Sequence, residues 1–237
     1  MQEFSIYFNR KDCYEDLNIL LKEPIYLPPN SEEIETIQIE DRNGSLTRKK
    51  GTFPDRSLDI TFVLPHLNKN GMYSKIEEIL DWLENIEDNK LVIREDRYYI
   101  VKNVSYGDIT TQALRFYEIT ITVTLKPFAY DPSEKEITIT SGKTLNNLGN
   151  VYSEPIITIE PKTAITNFTI TINGNEFKIV DTVNKTTIIN SELSRCISNG
   201  LNVNTKGDYP KLNKGNNVIK FDSSKAIVKI NNITRWR

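Results

Sequence analysis

The chain has 237 residues, 38% hydrophobic and 26% charged, a composition of folded globular domains rather than of disordered or membrane-spanning chains. Two Cys exclude a disulfide scaffold, a single His excludes a multi-His metal site, and a net charge of -2 excludes a strongly basic nucleic-acid binder. Ile, Thr and Val together number 64 while Ala numbers four, so the chain is expected to be mainly β.

Charge is unevenly divided. Residues 1–130 carry a net -6 and residues 131–237 a net +4. The basic residues are spread rather than clustered, so no specific nucleic-acid binding is expected. Opposite charges can steer subunits together, although ordinary surface charge is the simpler reading. The N-terminus has no basic stretch followed by an apolar run, and no stretch of about 18 apolar residues exists. Neither a signal peptide nor a membrane span is expected. Synthesis is expected in a cytoplasm, where Cys13 and Cys196 stay free thiols.

The first strand pair brackets a turn. Residues 34–40 place Ile37 and Ile39 on one face, and Asp41-Arg42-Asn43-Gly44 follows, Asn-Gly being a strong turn signal. Gly51-Thr52-Phe53-Pro54-Asp55 marks a further loop. Residues 58–64 alternate, with Leu58, Ile60, Phe62 and Leu64 on one face. His66 reads as a loop residue. One helix is predicted, with Ser74 and Glu77 as a capping box. Ile76, Ile79, Leu80 and Leu83 form its buried face, Trp82 and Ile86 widen it, and it ends near 85–89. With no second helix to pack on, it must lie on a sheet.

Strands resume at 91–94 and 98–104. In 116–125, Tyr117, Ile119, Ile121, Val123 and Leu125 face inward. Pro127 donates no backbone hydrogen bond, so this strand is expected to stop there, and a domain boundary is placed between 1–130 and 131–237. Beyond it, residues 137–140, 156–160, 167–172, 176–180, 186–189, 218–221 and 226–230 read as short strands of a sandwich or jelly roll. Asn173-Gly174 joins two of them, setting Phe168, Ile170 and Ile172 opposite Phe177 and Ile179.

Phosphate-loop, dinucleotide, zinc and nucleophile-elbow motifs are absent, so no catalysis, cofactor or metal is expected. Glu154, Glu176, Glu192 and Asp208 would supply a glycosidase's two carboxylates, but 32 acidic residues offer such pairs by chance. Tyr98, Tyr99, Tyr106, Phe116, Tyr117, Phe128 and Tyr130 would suit a stacking platform. In strands such residues more often pack, as expected for Tyr99 and Phe116. Trp236 either anchors a partner or caps the second sandwich, the latter slightly favoured. Within 40–56, Arg42, Asn43, Gly44, Arg48, Lys49 and Lys50 form either a projecting interface hairpin or, equally, a solvated loop.

The order of these features carries a resemblance. The pieces in the first half are Asp41-Arg42-Asn43-Gly44-Ser45-Leu46, the strand 58–64, Ile79-Leu80-Asp81-Trp82-Leu83, Tyr98-Tyr99-Ile100-Val101-Lys102-Asn103-Val104 and Lys126-Pro127-Phe128-Ala129-Tyr130. Those in the second are Asn147-Leu148-Gly149-Asn150, Ser153-Glu154-Pro155-Ile156, Ile170-Thr171-Ile172-Asn173-Gly174, Tyr209-Pro210-Lys211-Leu212 and Gly215-Asn216-Asn217-Val218. In this order the chain resembles the phage distal tail proteins, adaptors at the tip of the long tails of phages that infect Gram-positive bacteria.

The resemblance implies an N-terminal β domain with one packed helix, 1–130, and a C-terminal galectin-like β-sandwich, 131–237. It implies a homo-oligomeric ring of six copies at the virion tail tip of a phage, prophage or tail-like particle. Such a ring joins the tail tube protein to a tail-associated hub or lysin, and in some members holds receptor-binding proteins. The alternatives are a carbohydrate-binding cell-wall recognition module and, remotely, a wall hydrolase.

Overall fold

The computed structural model describes residues 4–64, 68–112 and 116–237, and His66 lies outside them. The chain divides into two compact units, one ending at Ala129 and the other spanning Tyr130–Trp236.

The first unit is built on an antiparallel sheet. Its strand order is Lys11–Asp12, Tyr7–Phe8, Lys90–Arg94, Arg97–Gln112, Phe116–Tyr130, Arg56–Leu64, Leu20–Leu21. The central ladder pairs Arg56 with Leu125 and runs to Leu64 opposite Tyr117. Ile60, Phe62, Leu64, Ile119, Ile121, Val123 and Leu125 are all buried on one face. The opposite face is half-covered: Thr61 and Thr120 hydroxyls meet at 3.0 Å, and Thr122 donates to Asp59 at 2.6 Å. The strand does not stop at Pro127 but continues to Tyr130. The ladder with Arg56–Leu64 has already ended at Leu125, so the missing N–H costs that pairing nothing.

The helix spans Lys69–Glu84, longer at its N-terminus than the capping box predicts. Asn68 is the cap, its side-chain oxygen accepting from the Gly71 N–H at 2.8 Å, while Ser74 lies inside and exposed. Asn caps as well as Ser does, and the extra turn adds Met72 to a buried row with Ile79 and Leu83. Ile86 falls beyond the helix and is exposed, so it does not widen that face. Trp82 is the anchor. Its ring meets Phe8 and Phe62 edge-on at 5.8 and 5.9 Å, and its Nε1–H donates to the Phe8 carbonyl at 2.8 Å.

Asn9 ties the short N-terminal strands to the helix end. Its Nδ2 donates to the carbonyls of Trp82 and Asn85 at 2.8 and 2.9 Å, and its Oδ1 accepts from the N–H groups of Glu87 and Asp88. Its φ of 46° is one that Asn tolerates better than most residues.

The second unit is two antiparallel sheets around one core. One runs Ile137–Ile139, Ala226–Asn231, Ile156–Pro161, Thr187–Asn190, Arg195–Ser198, Leu201–Asn202. The other runs Thr144–Asn147, Gly215–Phe221, Phe168–Ile172, Asn175–Ile179, Thr205–Lys206. Their inner faces share Ile157, Ile159, Val228 and Ile230 from one sheet with Phe168, Ile170, Phe177 and Ile219 from the other. Asn173 and Gly174 both have positive φ, 51° and 89°, the two-residue turn that matches strand twist. Phe168 accordingly faces Ile179, and Ile170 faces Phe177.

Cys13 and Cys196 are unpaired and buried. Burial pushes the Cys13 thiol upward and that of Cys196 up to about 11. A raised thiol pKa keeps the group protonated and unreactive near neutrality. Native protein at pH 8 should therefore resist a disulfide-exchange reagent at both thiols, and both should react once denatured. Asn9→Ala should lower stability by about 1–3 kcal/mol in urea unfolding, because it strips the donors and acceptors that close the helix end.

Candidate functional site

Among the described residues, strands Ile34–Gln38 and Ser45–Lys49 pair only with each other. All ten residues are exposed. Residues 39–44 join them, with positive φ at Asp41 and Gly44 rather than at Asn43. The strand ends at Gln38, so the loop begins two residues earlier than the 34–40 strand expected from the sequence.

The base of this hairpin is fixed to the first unit. The Glu33 N–H donates to the Thr52 carbonyl at 2.8 Å and the Lys50 N–H to the Glu33 carbonyl at 2.9 Å. Asn30 Nδ2 donates to the carbonyls of Pro54 and Pro127 at 2.9 and 3.1 Å. The Phe53 ring stands edge-on to buried Phe128 at 5.2 Å. Buried Arg56 donates to the Pro28 carbonyl and lies 5.5 Å from the Tyr99 ring centroid. The two arms therefore leave the unit at a set place while their ribbon stands in solvent.

Register decides what each face of the ribbon presents. Residues directly opposite share a face, so Glu35, Ile37, Arg48 and Leu46 lie together, with Glu35 across from Arg48 and Ile37 across from Leu46. Ile37, Ile39 and Leu46 are each about 40% exposed. The other face carries Ile34 opposite Lys49, whose ammonium lies 3.7 Å from Glu32. Arg42, Asn43 and Gly44 sit at the tip, and Arg48, Lys49 and Lys50 on the returning arm, all exposed. Trp236 belongs to the second unit, half-buried in the short strand Arg235–Trp236.

A two-stranded ribbon with both faces in water is marginal by itself. Ile37 and Leu46 on one face, with Glu35 opposite Arg48 beside them and Ile39 exposed just past the strand, suit burial against another protein surface. The alternation of Ile37 and Ile39 is visible in the sequence. Leu46 joins them only because the 39–44 loop sets the register.

No protein-family model matches this chain, and no curated relative matches it either. A solved structure does: the Dit protein (gp 19.1) of phage SPP1, described as a paradigm of the hub adsorption apparatus in phages infecting Gram-positive bacteria. The similarity has a TM-score of 0.67 at 19% identity and covers 97% of this chain and 98% of that one. The chain has the Dit fold.

Among the described aromatics weighed for a stacking platform, several pack instead, while Tyr106 is exposed. Phe128 and Tyr130 are buried, Tyr99 packs against the first core, and Lys90 lies over the Tyr98 ring at 5.3 Å. The side chain of Phe116 is outside those described. The most exposed described aromatic is Tyr26, at 81%, in a segment that the sequence left unassigned. Of the four carboxylates considered, Glu154 is bound by buried Arg235 at 2.8 Å, and Glu192 lies 3.6 Å from the same guanidinium.

Because no strand residue of the hairpin is buried, replacing residues 35–48 by a short Gly-Ser linker should leave global stability within about 0.5 kcal/mol. Thermal unfolding followed by circular dichroism checks this, and a large loss would show that the ribbon supports the unit from which it projects.

Proposed function

We propose that the chain is a non-catalytic tail-tip adaptor of a phage or phage tail-like particle. Six copies close a ring that joins the tail tube protein to a tail-associated hub or lysin, and the ring presents surface for receptor-binding proteins. The observation that carries this reading is similarity to SPP1 Dit over nearly the full length of both chains.

The hairpin supports it independently. Closed rings need a head-to-tail contact, with one surface on each subunit meeting a different surface on the next. A ribbon fixed at its base and apolar on one face is such a donor surface. The next copy is the proposed occupant, and the unequal charge of the two halves, -6 and +4, favours association between copies. No described helix is long and apolar enough to cross a membrane.

Light scattering and negative-stain imaging of the purified chain should show closed rings of about six copies, a form that head-to-tail contacts with cyclic symmetry allow. The double substitution Ile37→Ser, Leu46→Ser should dissociate them. Both residues are exposed, so each change should cost the isolated subunit less than about 0.5 kcal/mol. A chain that stays monomeric alone and with tube protein would overturn the proposal.

A further inference from the structure

The second unit holds a cleft of about 450 Å³, the size of a small-ligand site. The ring reading makes no use of it. Glu154, Asn175, Ser191, Asp208, Tyr209 and Lys211 are among its lining residues.

Its chemistry is mixed. The Glu154 carboxylate is held by Arg235 at 2.8 Å and by Lys211 at 3.7 Å, so its charge is largely balanced. Asp208 has no ion-pair partner among the described residues and offers a strong acceptor. Lys211 and the Asn175 amide add donors. The Tyr209 ring, half-buried, packs on Phe177 with centroids 4.9 Å apart and gives the wall an apolar patch. Ser191 is 4% exposed, and its hydroxyl has no hydrogen-bond partner in the chain. That hydroxyl is itself closed off from solvent, so the polar groups open to the cleft are those of Asp208, Asn175 and Lys211.

The cleft is also pre-formed. A Cβ on Gly207 would lie 2.3 Å from the Glu176 carbonyl oxygen, so this loop presses directly on the neighbouring strand. At its far end, Ser153 and Leu212 exchange backbone hydrogen bonds of 2.8 and 3.0 Å. Rigid walls lower the cost of ordering a ligand.

We propose that this cleft binds a saccharide. A sugar both donates and accepts through its hydroxyls and shows an apolar C–H face to an aromatic ring, matching this set of groups. A simple cation would meet Arg235 and Lys211 beside Glu154. An aliphatic ligand would strand the polar lining. Every residue lining the site comes from the second unit of one chain, so a monomer would present it.

The test is saturation-transfer NMR on the full chain with lactose, maltotriose and chitotriose, and spermidine as the cationic probe. At least one sugar should bind in the millimolar range. Asp208→Asn should weaken it by about tenfold or more, because a charged acceptor is lost. Asp208 is exposed, so this variant should fold, which the melting temperature checks. Asp222→Asn, a change at an exposed carboxylate outside the cleft lining, should bind as the parent does. Binding of spermidine alone, absence of signal from all three sugars, or sugar binding unaffected by Asp208→Asn would each overturn the proposal.

Discussion

A strand that alternates apolar and polar side chains gives its sheet one face that must be covered, and this requirement organises the whole chain. In the first unit a single helix does much of the covering, with Trp82 wedged between Phe8 and Phe62. In the second, two sheets cover each other, and Phe177 and Ile170 meet Ile157 and Val228 in one core. The 34–49 ribbon has an apolar row and no cover within its own unit. That exposed row is the surface proposed to meet the next copy.

Side-chain hydrogen bonding carries much of what the strands leave out. Asn9 closes the helix end, and Asn68 opens it. In the second unit, buried Asn217 accepts from the Asn213 N–H at 2.7 Å and donates to the carbonyls of Asn213 and Gly215 at 2.8 Å. Asn mimics backbone partners and tolerates positive φ, which accounts for its use at Asn9, Asn167, Asn173 and Asn199. Arg235 belongs to the same economy. Its charge is buried between Glu154 and Glu192, where an uncompensated guanidinium would be strongly destabilising.

Strands with strong alternation were legible in the sequence, including Phe116 onward, Arg56–Leu64 and the Asn173-Gly174 hairpin. The short strands Tyr7–Phe8, Lys11–Asp12, Leu20–Leu21 and Thr205–Lys206 were not. Two residues carry no period, and such segments become strands only when a neighbour supplies the ladder. The helix start was misread for a related reason. Ser74 fits a cap locally, but burial of Met72 against the core rewards an earlier start.

By itself the sequence determined the β-rich class, the helix-on-sheet arrangement and the absence of known catalytic motifs, because composition and period are local properties. It also drew attention to Arg42, Asn43, Gly44 and Arg48–Lys50. Only the tertiary structure put these residues on a ribbon without a cover, since register depends on loop length and partner choice. The cleft around Ser191 and Asp208 was likewise decided in three dimensions. Its walls come from segments far apart in the chain, and no local pattern records which of them meet.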